Sequence, residues 1–454
     1  MTATERSPTR SLPARTVVRY AVGSLGTGGF STLPGLVLVY YLTDTLGVAA
    51  LAAGVLVTAA KVWDVVIDPV IGALSDRGLA RRGTRRTGML IGSLALPLFF
   101  ILTFAVPAGT APVAAGLWVL LAFLLTATAF SLFQVPYIAL PAELAAGYDQ
   151  RTRLLTWRVV VLTLAILLFG AGGPALRSLG GNGYAGYLLM AVVAAVVIAL
   201  GLMVSSFVAP AGGPAASATE TPRASIAAHY AAGIRALRVS QPFRALLAAF
   251  LLQGLATGVM LTGANYVATY VLHSEDAVTL LFVALIGPAL LVTPLWGVVS
   301  RRIGKERGFL VASILFGIAA LSMVLLLWWP GDWIYLPVAL VGAGYAGMQS
   351  LPMAMLPDVI SHDARRNGPG RAGIFGGMWT AGETTGMALG ATVLTLVLAI
   401  SGYQQHTGGA AIAQSPAAVA GIIVSFSIVP ATLLGLSLIP LTRYRLRKAD
   451  IDED

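Results

Sequence analysis

The sequence contains no cysteine, which excludes disulfides, thiolate metal sites and thiol nucleophiles. Histidine is almost as scarce. Four residues in the whole chain leave little material for a His-built metal centre, and no metal site is expected. Charge is the third shortage. Only 11% of the residues are charged, against about 25% in a soluble domain, too few to clothe a water-exposed surface. No long polar block offers a separate soluble domain. The motifs of membrane hydrolysis are also missing: there is no H-E-x-x-H, no nucleophile elbow and no serine–histidine pairing. A membrane enzyme is therefore poorly supported.

What is present is apolar. Hydrophobic residues make up 57% of the 454 positions, and they gather in runs near the ~20 residues that cross the hydrocarbon core. Twelve spans are read near 17–43, 50–75, 88–107, 112–140, 154–175, 184–208, 243–271, 277–299, 308–328, 333–356, 372–400 and 416–441. This predicts an all-α membrane protein.

The basic residues orient the spans. Every even-numbered exit is rich in arginine or lysine: Arg77 to Arg86 after span 2, Arg151 and Arg153 after span 4, Arg223 to Arg244 after span 6. The pattern continues with Arg301 to Arg307 after span 8, Arg365 to Arg371 after span 10, and Arg443 to Lys448 in the tail. The odd-numbered exits are short and carry instead Asp44, His273, Glu275, Asp276 and Asp332. Such an asymmetry predicts both termini in the cytoplasm and the chain in the inner (plasma) membrane. It also accounts for the net charge of +10 through contact with anionic lipid rather than with nucleic acid. Met1 to Arg19 is polar and basic, and reads as a cytoplasmic tail before an uncleaved anchor.

A break divides the spans into six and six. Residues 210–242 open on a Pro-, Gly- and Ala-rich linker, and from Ser225 to Arg238 they predict a short amphipathic surface helix. The expected organisation is a tail at 1–16, six-helix bundles at 17–209 and 243–441 with that linker between them, and a tail at 442–454. The two halves echo each other. Gly72-Ala-Leu-Ser-Asp76-Arg77 follows span 2, and Gly297-Val-Val-Ser-Arg301-Arg302 follows span 8. Two parallel six-helix repeats form a recognised transporter architecture.

Several motifs then carry a resemblance. Tyr40-Tyr41-Leu42-Thr43-Asp44 ends span 1, and Lys61-Val62-Trp63-Asp64-Val65-Val66-Ile67-Asp68-Pro69-Val70-Ile71-Gly72 lies in span 2. Pro357-Asp358-Val359-Ile360 and Asp363 follow, before a glycine-rich span 11. From about Tyr20 to Tyr403 the chain resembles the glycoside–pentoside–hexuronide:cation symporters of the major facilitator superfamily. The resemblance implies the major facilitator fold, alternating access, and uptake of a sugar-like solute driven by a coupling cation, proton or sodium, with no other cofactor. It assigns cation binding to Asp64 and Asp68, helped by Ser131. Ile67 stands where the pattern has an amide, and Gly28 and Gln134 stand where it has the carboxylates that grip sugar hydroxyls. Arg158 matches its span 5 arginine, and its span 11 lysine falls at Thr384 beside Glu383. These departures predict poor recognition of galactosides and favour protons over sodium.

Physical reading of the buried charges runs parallel. An ionisable group at a helix centre costs about 2.5–3.5 kcal/mol on insertion scales, so it faces a cavity or finds a partner. Lys61, Asp64 and Asp68 lie at helical spacings of three and four, on one face. Two carboxylates there can hold a hard cation or share a proton, and Lys61 can neutralise Asp64. Gln134, Tyr137, Arg158, Asn265, Trp379, Glu383 and Thr384 are the candidates for solute contact. Asp76, Arg77, Arg301, Arg302, Asp358, Asp363 and Arg365 are candidates for a cytoplasmic salt-bridge gate. The partners expected are a small solute, the coupling cation and lipid, acting on a monomer. A proton-coupled exporter is the alternative within the same architecture.

Overall fold

The computed structural model describes residues 12–144, 148–211, 237–274, 276–367, 372–408, 411–444 and 446. Among these, twelve stretches are long and apolar enough to cross a membrane. The first eleven are built on α1 (Ala14–Tyr40), α2 (Ala50–Arg82), α3 (Arg86–Phe104), α4 (Pro112–Leu144), α5 (Tyr148–Leu179), α6 (Tyr184–Ser206), α7 (Gln241–Tyr270), α8 (Ala277–Ile303), α9 (Lys305–Ser322), α10 (Tyr335–Asn367) and α11 (Ala372–Ile400). The twelfth is broken at Ser427 into α12 (Pro416–Phe426) and α13 (Ile428–Thr442). At the break the Ser427 hydroxyl donates to the Ile423 carbonyl, 2.6 Å away, and so occupies an acceptor that the broken ladder leaves open. The amphipathic helix expected from Ser225 falls outside the described residues, which resume at Leu237.

Apolar side chains on these helices have no water to escape, so close packing and satisfied backbone groups decide the arrangement. The two halves solve it the same way. In the first, α1 packs on α5 and α6, α3 on α4 and α6, and α2 on α4. In the second, α7 packs on α11, α12 and α13, α9 on α10 and α13, and α8 on α10. Each pairing recurs six helices later. The halves then meet through α1 on α7, α2 on α11 and α5 on α8, which is the contact set a two-fold repeat generates. The fold is that of two six-helix parallel repeats.

A close crossing of α7 and α11 shows why span 11 is rich in glycine. A Cβ on Gly258 of α7 would lie 2.3 Å from the Met387 carbonyl oxygen, and one on Gly390 of α11 would lie 2.6 Å from the Gly258 carbonyl carbon. Only glycine permits that approach of two backbones. Gly390→Val is expected to cost about 3 kcal/mol or more by overpacking. The check is the thermal transition and monodisperse yield of purified protein beside Gly376→Ala, whose added Cβ meets nothing within 4 Å.

One boundary differs from the sequence reading. Span 1 does not stop before Asp44. A π-helical turn, Tyr41–Thr45, carries the chain one turn further and leaves Asp44 0% exposed rather than in an exit loop.

Candidate functional site

The helix ends define two faces. One carries Arg81, Arg82, Arg301, Arg302, Arg365 and Arg366 in last turns. The opposite face is poor in arginine. Between them, at mid-depth on α2, lies the acid pair. Lys61 Nζ stands 3.2 Å from Asp64 Oδ2 in an ion pair one turn long. The other oxygen of Asp64 is buried without a hydrogen-bond partner among the described residues. Asp68 accepts a 2.5 Å hydrogen bond from the Ser131 hydroxyl of α4. Thus the structure brings together the four residues expected at the coupling site. Trp63 fixes the same stretch by donating from Nε1 to Thr128 of α4 at 2.9 Å, so α2 is pinned to α4 on both sides of Asp64.

The candidates for solute contact separate into two groups and one residue apart. Tyr137 and Arg158 form one. Tyr137 donates to the Tyr20 carbonyl at 2.9 Å and stacks on the Tyr20 ring with centroids 4.6 Å apart. The Arg158 guanidinium carbon lies 5.5 Å from the centroid of the Tyr137 ring, a cation–π contact, with Nε buried and unpartnered. Gln134, one turn from Tyr137, keeps a buried and unpartnered carbonyl oxygen. Gly28 belongs to packing instead, because a Cβ there would lie 2.8 Å from that of Ala165 on α5.

A second group lies in the other half. Glu383 and Thr384 are half-buried on α11. Glu383 lines a small pocket with Gln253, Thr257, Tyr345 and Gln349. Trp379, one turn away, is buried and stacks on Phe250 with ring centroids 4.1 Å apart.

Asn265 falls in neither group. Its amide donates to the Leu36 carbonyl at 2.6 Å, and its oxygen accepts from Arg177 at 2.9 Å. The sequence placed Asn265 among solute contacts. The structure places it in a seam between α1, α5 and α7, because a buried guanidinium claims it. The seam continues to the arginine-poor face. There Tyr270 and Tyr403 donate to Asp44 Oδ1 at 2.5 and 2.6 Å, Thr43 donates to Oδ2, and His406 Nδ1 lies 3.8 Å away. Tyr40 meets Thr269, Tyr266 meets Thr43, and Thr58 of α2 meets Thr392 of α11. Four more hydrogen bonds between the halves lie on this side of the acid pair.

Sequence reasoning missed Arg177 and the role of Asp44. Arg177 is 0% exposed, sandwiched by Tyr40 and Tyr187 at 5.5 Å each. Its signal was present: an arginine at the arginine-poor end of span 5 has no topological use there.

One gate candidate pairs within its own half. Asp358 pairs with Lys305 at 2.6 Å, within its own half rather than across the halves. The reason is proximity: α9 starts beside the end of α10. Arg77, Arg301, Arg302 and Arg365 are exposed, Asp363 is buried, and the Asp76 side chain lies outside the described residues.

Comparison with known proteins agrees with this architecture. Residues 19–448 match the family model described as MFS/sugar transport protein. A glucuronide carrier protein homologue of Escherichia coli (strain K12) is 25% identical over 461 residues, covering 98% of this chain and 96% of that protein. The sodium-dependent lysophosphatidylcholine symporter 1 of Mus musculus is also 25% identical, over 85% of this chain and 78% of its own length. Among solved structures, a D-xylose–proton symporter superposes with a TM-score of 0.69 at 14% identity, covering 95% of this chain and 98% of that one. That likeness concerns the fold. The match to the family model spans nearly the whole chain, and it makes this multi-pass membrane protein a member of the MFS/sugar transport protein family.

Proposed function

We propose that the chain is a proton-coupled symporter that imports a small, polar, glycoside-like solute by alternating access across the cytoplasmic membrane. The observation that carries this reading is the acid pair of α2, placed at mid-depth and held between Lys61 and the Ser131 hydroxyl. A carboxylate there is costly even when paired, and such groups mark ion and substrate pathways. The helix bearing it is also one of those that touch the other half. Thr58 meets Thr392, and ten residues further along each helix come Asp68 and position 382, next to Glu383. Coupling site and candidate solute pocket thus lie at one level in opposite halves, where rocking of the halves reaches both. The glycoside-like solute is supported by the name of the Escherichia coli relative.

Protons are favoured over sodium by the ligands at hand. Sodium requires several oxygens. Ile67 supplies none between the acids, and the Lys61 ammonium already occupies Asp64. A proton needs a single carboxylate whose charge a neighbouring acid disfavours.

The arginine-rich face is assigned to the cytoplasm by the positive-inside asymmetry, which makes the Asp44 seam an outer closure. Reporter fusions at Ser217 and Asp454 are expected to behave as cytoplasmic; a periplasmic signal from either rejects the orientation. Transport itself is tested in proteoliposomes with labelled glucuronides and glucosides under an imposed inward proton gradient. Accumulation above the external concentration is the expected result. Efflux driven by that gradient would identify an exporter and overturn the reading.

A further inference from the structure

The pocket in the second half has an unusual balance of hydrogen-bonding groups. Gln253 is 2% exposed, and its amide nitrogen donates to Ser313 at 2.8 Å and to Ser437 at 3.3 Å. Both serine hydroxyls give their own protons to helix carbonyls, Ser313 to Phe309 and Ser437 to Leu434. They can therefore only accept from Gln253, which fixes the orientation of its amide. The Gln253 oxygen is left buried and unpartnered. Thr257 spends its proton on the Gln253 backbone carbonyl at 3.0 Å, and Gln349 donates one N–H to the Tyr345 hydroxyl at 2.8 Å. Glu383 completes the lining with a carboxylate to which no described group donates.

Charge tells the same story. No ion pair neutralises Glu383 among the described residues, and Arg158 lies in the other half against Tyr137. The lining thus presents a negative charge and an orphan acceptor, beside donors that a hydroxyl-bearing solute can also use: the Tyr345 O–H, the second Gln349 N–H and, one turn away, the buried and unpartnered Trp379 indole N–H. The charge and the orphan acceptor call for an occupant that brings N–H donors and a positive charge. The space among these side chains admits about one water-sized group. A protonated amine has that size, that charge and three donors. Phe250 on the wall, backed by Trp379, adds an aromatic face suited to a cation.

From this geometry we infer that the pocket beside Glu383 receives a protonated primary or secondary amino group, so that the transported solute is an amine-bearing sugar or glycoside. The inference rests on the solute-transport reading above and adds the substrate class. A neutral hydroxyl in the same place leaves the carboxylate without a counter-charge. A quaternary ammonium brings charge without N–H donors and leaves the Gln253 oxygen unanswered.

The test is equilibrium binding to the purified full chain in nanodiscs at pH 7, with glucosamine, glucose and N-acetylglucosamine as matched probes. Methylammonium and tetramethylammonium chloride are compared separately by thermal shift at equal ionic strength. Glucosamine is expected to bind at least about ten-fold tighter than either neutral sugar, the factor that ~1.4 kcal/mol of selective interaction supplies. Methylammonium is expected to stabilise the protein more than tetramethylammonium does. Glu383→Gln should erase both preferences, and Glu383→Asp should restore part of them, which a merely structural role would not do. Equal binding of the three sugars, an amine preference that survives Glu383→Gln, or no Glu383-dependent effect of either amine overturns the inference. A Glu383-dependent amine preference without proton-driven uptake would instead sink the symport reading and leave this one standing.

Discussion

Asp64→Asn abolishes accumulation of solute against its gradient while solute still equilibrates across the membrane. The substitution keeps the shape of the side chain and removes its charge, so the packing of α2 against α4 survives through the Trp63–Thr128 hydrogen bond. Lys61 then loses the carboxylate 3.2 Å away. In a medium where one unpaired charge costs about 2.5–3.5 kcal/mol, the ammonium turns towards the nearest remaining acid, which is Asp68. Either outcome removes a titratable carboxylate from the cycle, and a driven step becomes an undriven one. Accumulation ratios are expected to fall to about one, from whatever multiple the imposed gradient supports; tenfold corresponds to ~1.4 kcal/mol of coupled free energy. Asp68→Asn acts similarly or slightly less, because the Ser131 hydroxyl can still donate to the Asn carbonyl oxygen. Proteoliposome uptake under separate pH and sodium gradients, with wild type beside both variants, reads the effect. Accumulation by wild type under sodium alone, with no response to pH, rejects the proton. Undiminished accumulation by Asp64→Asn rejects the site.

The contrast between what the sequence made legible and what it hid follows the physics of the membrane. Span number and the six-plus-six division rest on hydropathy and linker composition, which are properties of one segment at a time. They survive any detail of packing, and the twelve crossings appear where the apolar runs stood. The acid pair was legible for a related reason. Lys61, Asp64 and Asp68 sit on one helix, and local spacing sets their geometry. Ser131 came from resemblance, since nothing in local spacing ties α4 to α2. Asn265 stood among the candidates because an amide in a span serves equally as a contact for solute or as a bond between helices. Only the position of Arg177, 88 residues away in sequence, decides between them. Asp44 was hidden by its place at the end of a span, where an acid ordinarily meets water. Three hydroxyls from α7, the segment after α11 and the same turn had to converge before it became an interior group.

That convergence gives the second large effect. Asp44→Asn is expected to loosen the seam that closes the arginine-poor face. The carboxylate accepts from Tyr270 and Tyr403 at one oxygen and from Thr43 at the other. Hydrogen bonds to a charged acceptor contribute about 1.5–3 kcal/mol each, and two of these three come from the opposite half. An asparagine offers one neutral oxygen to the same donors and turns an N–H₂ towards Thr43 or His406, where a proton already points or no acceptor is assured. A weakening of about 1.5–3 kcal/mol shifts a two-state equilibrium between closed and open outer faces by roughly ten- to a hundred-fold. The absence of cysteine makes the measurement direct, because a single introduced thiol has no background. Thr262→Cys serves as reporter. Thr262 is 4% exposed and bonds across the seam to the Gly35 carbonyl at 3.3 Å, so a thiol there is shielded while the halves are joined. In right-side-out vesicles, a membrane-impermeant maleimide should alkylate Thr262→Cys slowly, and at least about ten-fold faster when Asp44→Asn is added. Asp276→Asn, on the same face but in the cap before α8 and outside the seam, supplies the comparison for altered surface charge. An unchanged rate in Asp44→Asn, or an equal rise in Asp276→Asn, would show that the tyrosine–aspartate cluster packs the helices without holding the outer face shut.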